Sequence, residues 1–301
     1  MREITTLISG PSGTGKELVA QAIASSGFIP FNPVALRFEQ DPGDLFRPLN
    51  VSALSVNLVE AELFGHKRGA FTGALQDRAG WLEVCPEGGA VFLDEIGEMD
   101  GSLQVKLLRV LQTRTFHRLG ESKPRFFAGK IITATNRDLV EEMEAGRFRR
   151  DFYYRLCSDV IVTPSLREQL ADAPQELPRL VKFIARRLVG DAQAEELAAE
   201  VLDVVKTLGP TYPWPGNFRE LEQCVRNVLV RGRYEAVCLA PSRPAAELAA
   251  ELERGRLTAE QVLRRYCSIV YAQTQNIEET ARRLDLDRRT VKARLAMPVK
   301  S

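Results

Sequence analysis

The stretch ITTLISGPSGTGKELVAQAI (residues 4–23) holds a β-branched run, a glycine-rich turn and then apolar residues at helical spacing, Leu18, Val19, Ala22 and Ile23. Strand, glycine turn and helix in that order form a phosphate cradle: Gly10, Gly13 and Gly15 let backbone N–H groups converge on phosphate oxygens where a helix begins. Pro11, Ser12 and Thr14 complete the loop, and Lys16 carries its charge to the β- and γ-phosphates. Glu17 occupies the position where a Ser or Thr hydroxyl usually ligates Mg²⁺, so the metal must rely on another residue. A glycine-rich turn that binds nothing is the plainer alternative, and the strand before it and the helix after it count against that alternative.

Working outward, AVFLDE (90–95) supplies the acids. A strand that ends in Asp94-Glu95 sets carboxylates at the C-terminal edge of a sheet, beside the phosphate loop. Asp94 is expected to hold Mg²⁺ and Glu95 to polarise the attacking water. The histidines His66 and His117 fall outside these segments. At the end of KIITAT (130–135), Asn136 is placed to orient that water or to sense the γ-phosphate, although on its own it also reads as a turn residue. GRFRRDFYYRL (146–156) offers Arg149, Arg150 and Arg155 around an aromatic helix: either a solvated basic face or arginine fingers for phosphoryl transfer.

ITTLIS (4–9), AVFLD (90–94), KIITAT and DVIVT (159–163) are near-continuous apolar runs, which predicts a parallel sheet covered on both faces. Apolar residues at Leu180, Ile184 and Leu188, and again at Leu221, Val225 and Val228, recur at helical spacing. The predicted organisation is an α/β ATPase subdomain over 1–165, a helical lid over 166–232, an Ala/Glu/Pro-rich linker over 233–256 and a helical unit over 257–301.

The 301-residue chain carries 41 basic and 40 acidic side chains, so any nucleic-acid footprint must be local. Its 45% hydrophobic and 27% charged content excludes a disordered or collagen-like chain. No apolar run is long enough to span a bilayer, and the N-terminus lacks a secretory layout. Five cysteines, Cys85, Cys157, Cys224, Cys238 and Cys267, form no C-x-x-C pair, so a reduced cytoplasmic protein without a zinc site or disulfide framework is expected.

GAFTGA (69–74), within ELFGHKRGAFTGA, sets one large ring among small residues. Gly69, Ala70, Thr72, Gly73 and Ala74 cannot bury Phe71 locally, so the ring is packed from elsewhere or displayed on a mobile tip. The hexapeptide resembles the signature loop of bacterial sigma-54-dependent activators, or enhancer-binding proteins, of the AAA+ superfamily. The resemblance extends over most of the chain in order. GPSGTGKE is similar to the family's phosphate loop, Glu17 included. Asn50 in PLNVSAL falls where the family uses a polar residue to hold the catalytic Glu in a nucleotide-dependent position. VFLDEIGEM resembles the acid strand and ATNRDL the first sensor. Arg149 and Arg155 stand where fingers reach a neighbour's nucleotide. YPWPGNFREL (212–221) resembles the second sensor, with Asn217 a helix N-cap and Arg219 facing the γ-phosphate. The chain starts at the first strand, where the family usually has a preceding segment that helps to enclose the adenine, and the connection 28–47 is longer than usual. No N-terminal sensory or phosphoacceptor domain is expected.

LTAEQVLRRYCSIVYA (257–272) shows a capping box at Thr258/Gln261 and an apolar stripe at Val262, Tyr266, Ile269 and Val270. NIEETARRLDLDRRTVKARL (276–295) splits into two short helices about a turn at Asp285-Leu286, with Asp287 as N-cap. Arg288, Arg289, Lys292 and Arg294 suit a recognition helix in a major groove, and the segment resembles the Fis-type helix-turn-helix that ends many such activators. Together the resemblances imply a homo-oligomeric ring, a hexamer in the family, that spends ATP with Mg²⁺ to open sigma-54 RNA polymerase promoters while tethered to double-stranded DNA, with no membrane partner. An AAA+ remodeller with another client and a DNA-binding regulator without catalysis are the alternatives.

Overall fold

The computed structural model describes residues 5–26, 31–32, 36–38, 42–209, 212–236, 248, 251–252, 254–255, 257–274 and 276–296. Ile4, Cys238, parts of the 28–47 connection and most of the 233–256 linker lie outside the described residues. The chain divides into two units, 1–234 and 235–301.

Five parallel strands form the sheet of the first unit: β1 (Thr6–Ser9), β2 (Phe46–Asn50), β3 (Ala90–Asp94), β4 (Lys130–Thr135) and β5 (Asp159–Val162). Their order is β5-β1-β4-β3-β2. Alternation along the central strands sends Ile8, Phe92, Ile132 and Ala134 to one face, where α1 (Lys16–Ser25) covers them with Ala20 and Ala24. Leu7, Val91, Leu93 and Ile131 face the other way. There α2 (Val56–Phe64) and α3 (Gly101–Thr113) supply Val59, Leu63, Leu103 and Leu107.

Two edges depart from expectation. The apolar run DVIVT predicts a strand covered on both faces, yet β5 is an edge with Val162 71% exposed. An apolar run records that a strand can be buried, not which neighbour covers it. β2 has no counterpart among the predicted strands because Pro48 interrupts it. As the opposite edge, β2 tolerates a residue that cannot donate a ladder bond.

After α4 (Arg150–Leu156) and β5 the strands stop. Helices α5 (Leu166–Asp172), α6 (Glu176–Val189), α7 (Asp191–Leu208) and α8 (Asn217–Arg231) enclose Val181, Ala185, Leu197, Val201, Leu221 and Val225. A capping box between Ser165 and Glu168 starts α5.

The second unit contains α9 (Ala259–Thr274), α10 (Ile277–Leu284) and α11 (Arg288–Ala296). Thr258 and Gln261 exchange capping bonds at 2.8 and 3.3 Å, and Asp287 accepts from the Arg289 amide at 2.7 Å. Asp285 closes α10 at φ 52°, a left-handed conformation that Asp tolerates. Tyr266, expected on the buried stripe, is exposed, and Cys267 takes the interior position. No helix of the described residues is long and apolar enough to cross a membrane.

Candidate active site

The parallel register brings the C-terminal ends of the central strands to one edge: Ser9 pairs with Thr135, and Asn50 with Asp94. The loop 10–15 leaves that edge and ends at Gly15, which caps α1 in the left-handed conformation. Lys16 is buried, and its Nζ donates to the Gly10 and Pro11 carbonyls at 2.9 and 3.0 Å. Burial pulls its pKa down, and the nearby Glu95 and Asp94 carboxylates oppose that shift. Thr14 Oγ1 donates to the Pro11 carbonyl at 2.9 Å and shares a 2.8 Å bond with Thr163 Oγ1.

The start of α8 is sewn onto this loop. The Phe218 amide donates to the Gly13 carbonyl at 3.0 Å. Asn217 Nδ2 donates to the Ser12 carbonyl at 2.8 Å, and its Oδ1 accepts from the Leu166 amide at 2.8 Å. A Cβ on Gly13 would lie 2.4 Å from the Gly216 carbonyl oxygen, so only glycine permits the contact. Arg219 Nη1 lies 3.4 Å from Ser12 Oγ. The expectation that Asn217 caps α8 is corrected: Gly216 is the N-cap, and Asn217, buried at φ 53°, turns its amide to the phosphate loop and to α5. Glu220 does reach back to accept from the Gly216 amide at 2.7 Å, and its other oxygen accepts from Tyr212 and Tyr234 hydroxyls at 2.5 and 3.0 Å.

At the end of β3, Asp94 Oδ1 accepts from the Glu95 amide at 3.0 Å. Glu95 sits at φ 55°, a sharp turn off the strand. Burial and the Asp94 charge push its pKa up, against Lys16 and a hydrogen bond from the Asn136 backbone amide. Asn136 thus meets Glu95 through its main chain, while its side chain is exposed. Asn50 Oδ1 accepts from the Ser52 amide and hydroxyl and the Ala53 amide at 2.9, 2.8 and 3.1 Å, a local turn cap. Glu17, in the first turn of α1, is exposed. Among the described residues no three His, Cys, Asp or Glu side chains converge as a metal cage.

Two cavities stand out among the described residues. One of about 400 Å³ lies between Thr14 and Leu18 at the start of α1 and Leu180, Ile184, Leu188 and Phe218 of the helical region. A larger one, about 560 Å³, lies away from the phosphate loop between α2, α3 and residues 115–120. The smaller matters for chemistry because it adjoins the cradle.

Arg149 and Arg155 are surface residues. Arg149 forms a two-pronged pair with Asp151 at 3.0 and 2.8 Å, and Arg155 Nη2 donates to the Leu111 carbonyl at 3.3 Å. Gln104, which the sequence offers only as a polar residue within a helix, is fully buried and bonded to the segment that carries Arg149. No local pattern signals it, because its partners are up to 45 residues away.

The 65–79 segment leaves the sheet as a separate excursion. Gly65–His66 pairs with Arg78–Ala79, and Asp77 accepts from Lys67 Nζ and the Arg68 amide at 2.6 and 2.9 Å. Across the tip the Gly69 amide donates to the Ala74 carbonyl at 2.8 Å, and the Ala74 amide to the Phe71 carbonyl at 3.0 Å. Phe71 is half-buried with its ring edge-on to His66, centroids 5.0 Å apart. Ala70, Phe71, Thr72 and Gly73 thus form a surface tip, Ala74 is tucked under it, and Leu75 is 81% exposed. His66 is the residue sequence reading missed here; its only signal was an aromatic-sized ring five residues before Phe71.

In the second unit Arg289 and Lys292 are exposed, and Arg288 pairs with Glu278 at 2.7 Å. Arg294 departs from the expected basic face. It lies three residues after the buried Val291, hence on the packed side of α11, with its guanidinium turned towards Glu260 at 3.8 Å.

A five-stranded parallel sheet in this order, with a glycine-lysine loop after β1, an acid pair after β3 and a helical bundle bonded to the loop, defines an AAA+ P-loop NTPase fold. The model of the Sigma-54 interaction domain family matches residues 1–162, and the chain belongs to that family. The Nif-specific regulatory protein of Enterobacter agglomerans is 44% identical over 234 residues, covering 76% of this chain and 40% of that protein. The transcriptional regulatory protein ZraR of Klebsiella oxytoca is 36% identical over 301 residues, 98% of this chain and 63% of that protein. The crystal structure of NtrX from Brucella abortus in complex with ATP superposes with a TM-score of 0.58 at 26% identity, covering 97% of this chain and 63% of that one. The chain therefore spans from about two-fifths to somewhat under two-thirds of the length of these relatives.

Proposed function

We propose that this chain is the motor and DNA-reading part of a sigma-54-dependent transcriptional activator. It hydrolyses ATP in a homo-oligomeric ring, a hexamer as the resemblance implies, and uses the 69–74 tip to remodel sigma-54 RNA polymerase into an open promoter complex.

The phosphate loop supports the nucleotide assignment. Its backbone amides and Lys16 would hold the β- and γ-phosphates, Arg219 would meet the γ-phosphate, and the smaller cavity, largely apolar, would take the adenine. Asp94 is the fitting holder for Mg²⁺. It is a hard oxygen donor at the sheet edge, on the strand that ends beside the phosphate loop. When bound, the ion neutralises charge on the phosphates. Glu95, poised with a raised pKa, would accept the proton of the attacking water, and Asn136 would help to orient that water. Asn50, in register with Asp94, would offer its Nδ2 amide to Glu95, its Oδ1 being taken by the local turn. Arg149 and Arg155, exposed on the same protomer, would serve the neighbour's nucleotide.

The observation that carries the reading is the placement of Phe71: on the same chain as the glycine-lysine loop and the acid pair, its ring rests on a surface excursion against His66 and is not locked in the core. Arg288, Arg289 and Lys292 would contact double-stranded DNA. Arg294 would follow only by leaving Glu260. The test is ATP-dependent open-complex formation by the purified chain on a sigma-54 promoter, with a sigma-70 promoter as control. Opening of the first alone is expected, and activity on neither overturns the reading.

A further inference from the structure

Gln104 lies on α3 with 0% exposure, and its amide makes three bonds. Nε2 donates to the Met99 carbonyl at 2.8 Å and to the Arg147 carbonyl at 3.0 Å, while Oε1 accepts from the Arg149 amide at 2.9 Å. One side of this clamp is the short 3-10 turn that directly follows Glu95, in which the Glu98 amide donates to the Glu95 carbonyl at 2.9 Å and the Met99 amide to the Ile96 carbonyl at 3.1 Å. The other side is the N-cap of α4, where Arg149 begins the helix with no side-chain cap bond of its own.

A second tie runs beside the first. Arg137, next to Asn136, pairs with Glu98 and, at 3.4 Å, with Glu142, which also holds Arg147. These ion pairs are exposed on at least one partner and add little rigidity singly. The buried amide is different, because breaking it leaves buried polar groups without partners. The same turn that follows the proposed base of one protomer is therefore fixed to the backbone that carries the arginine offered to another.

We infer that Gln104 is a positioning residue for Arg149, coupling the acid turn of each protomer's own nucleotide site to the finger it presents to its neighbour. This rests on the reading of Arg149 as a finger acting in trans. Asp151, which grips the guanidinium itself, fixes the side chain, and Gln104 fixes the backbone from which it springs.

The test compares Gln104→Met, close in size but without the amide, with Arg149→Ala in the full chain. ATP turnover is measured alone and in mixtures with excess Lys16→Ala protomers, which lack their own phosphate grip but carry intact fingers. Gln104→Met is expected to lower kcat about 10- to 100-fold with KM for ATP within about twofold, as a misplaced catalytic group does. Turnover should recover in the mixture, because intact fingers then face its own intact sites. Gln104→Ala, which leaves room for water to satisfy the three groups, serves if the Met variant does not fold; failure of both to fold makes Gln104 a general structural residue and overturns the inference. An Arg149→Ala loss that the mixture rescues, beside a Gln104 variant with unchanged kcat or with a loss the mixture does not rescue, overturns the coupling alone. Wild-type turnover by Arg149→Ala, or no rescue of it, overturns the finger reading and this inference with it.

Discussion

Two glycine-rich loops stand within one unit, and their glycines share a positive φ but differ in surroundings. In the phosphate loop Gly13, at φ +78°, also has no room: the Gly216 carbonyl occupies the place of its Cβ. In the excursion Gly73 has nothing within 4 Å of a Cβ, and glycine serves a backbone at φ +100°. The first loop is anchored by main-chain and amide bonds from α8 and by Thr163. The second is tied to distant residues at its base, by Asp77 and by backbone bonds that Lys67 and Gly65 make with Leu119, while its tip has its own turn, the His66 ring edge and the close approach of Ala70 to Gly120. Residue type alone does not separate a fixed cradle from a free tip; the number of ties from distant residues does.

The comparison breaks most sharply at Lys16. Lys16→Ala is expected to reduce ATP turnover by about 10³-fold or more, read as phosphate release, while the 65–79 segment stays folded by protease resistance. If turnover persists, the anchored loop is not the phosphate site. Glu95→Gln should likewise abolish turnover yet raise the melting temperature near neutral pH. The folded state pushes the Glu95 pKa up, so it favours the protonated acid, and stability is lost as pH rises through that pKa. The advantage of the Gln variant should therefore vanish in acid, where Glu95 itself is neutral. In the wild type the acid limb of the pH–rate profile should lie above the ordinary carboxylate range.

Gly13→Ala and Gly73→Ala test the contrast directly. The first must displace Gly216 and is expected to lower both melting temperature and nucleotide affinity. The second meets open space and should cost about 1–2 kcal/mol of local backbone strain, leaving ATP turnover within about twofold. Equal effects on turnover would erase the distinction between the loops. The smallest effect on the fold is expected from Phe71→Ala, at about 1 kcal/mol or less, since a half-exposed ring makes one aromatic contact. Its turnover should survive while promoter opening is lost.

What the sequence made legible follows the range of the interactions. The phosphate loop, the acid pair and the runs that became β1, β3 and β4 are local patterns, and each sits where its residues predict. β2 was hidden because Pro48 reads as a break until the strand is known to be an edge. β5 was legible as a strand, but its exposure was not. Asn217 was misread as a cap because its partners, Ser12 and Leu166, lie 205 and 51 residues away. The resemblance assigns Asn50 to Glu95, and the turn that Ser52 and Ala53 make on its Oδ1 is a local feature the sequence alone does not announce. Gln104 carried no signal at all, for the same reason of distance.

The seam between α8 and the phosphate loop has a kinetic meaning. Since Gly13 and Ser12 bond to Phe218 and Asn217 directly, the bundle cannot swing aside while the cradle keeps its shape. On the proposed function, a displacement of the bundle that breaks these bonds would distort the phosphate site and hasten the loss of nucleotide.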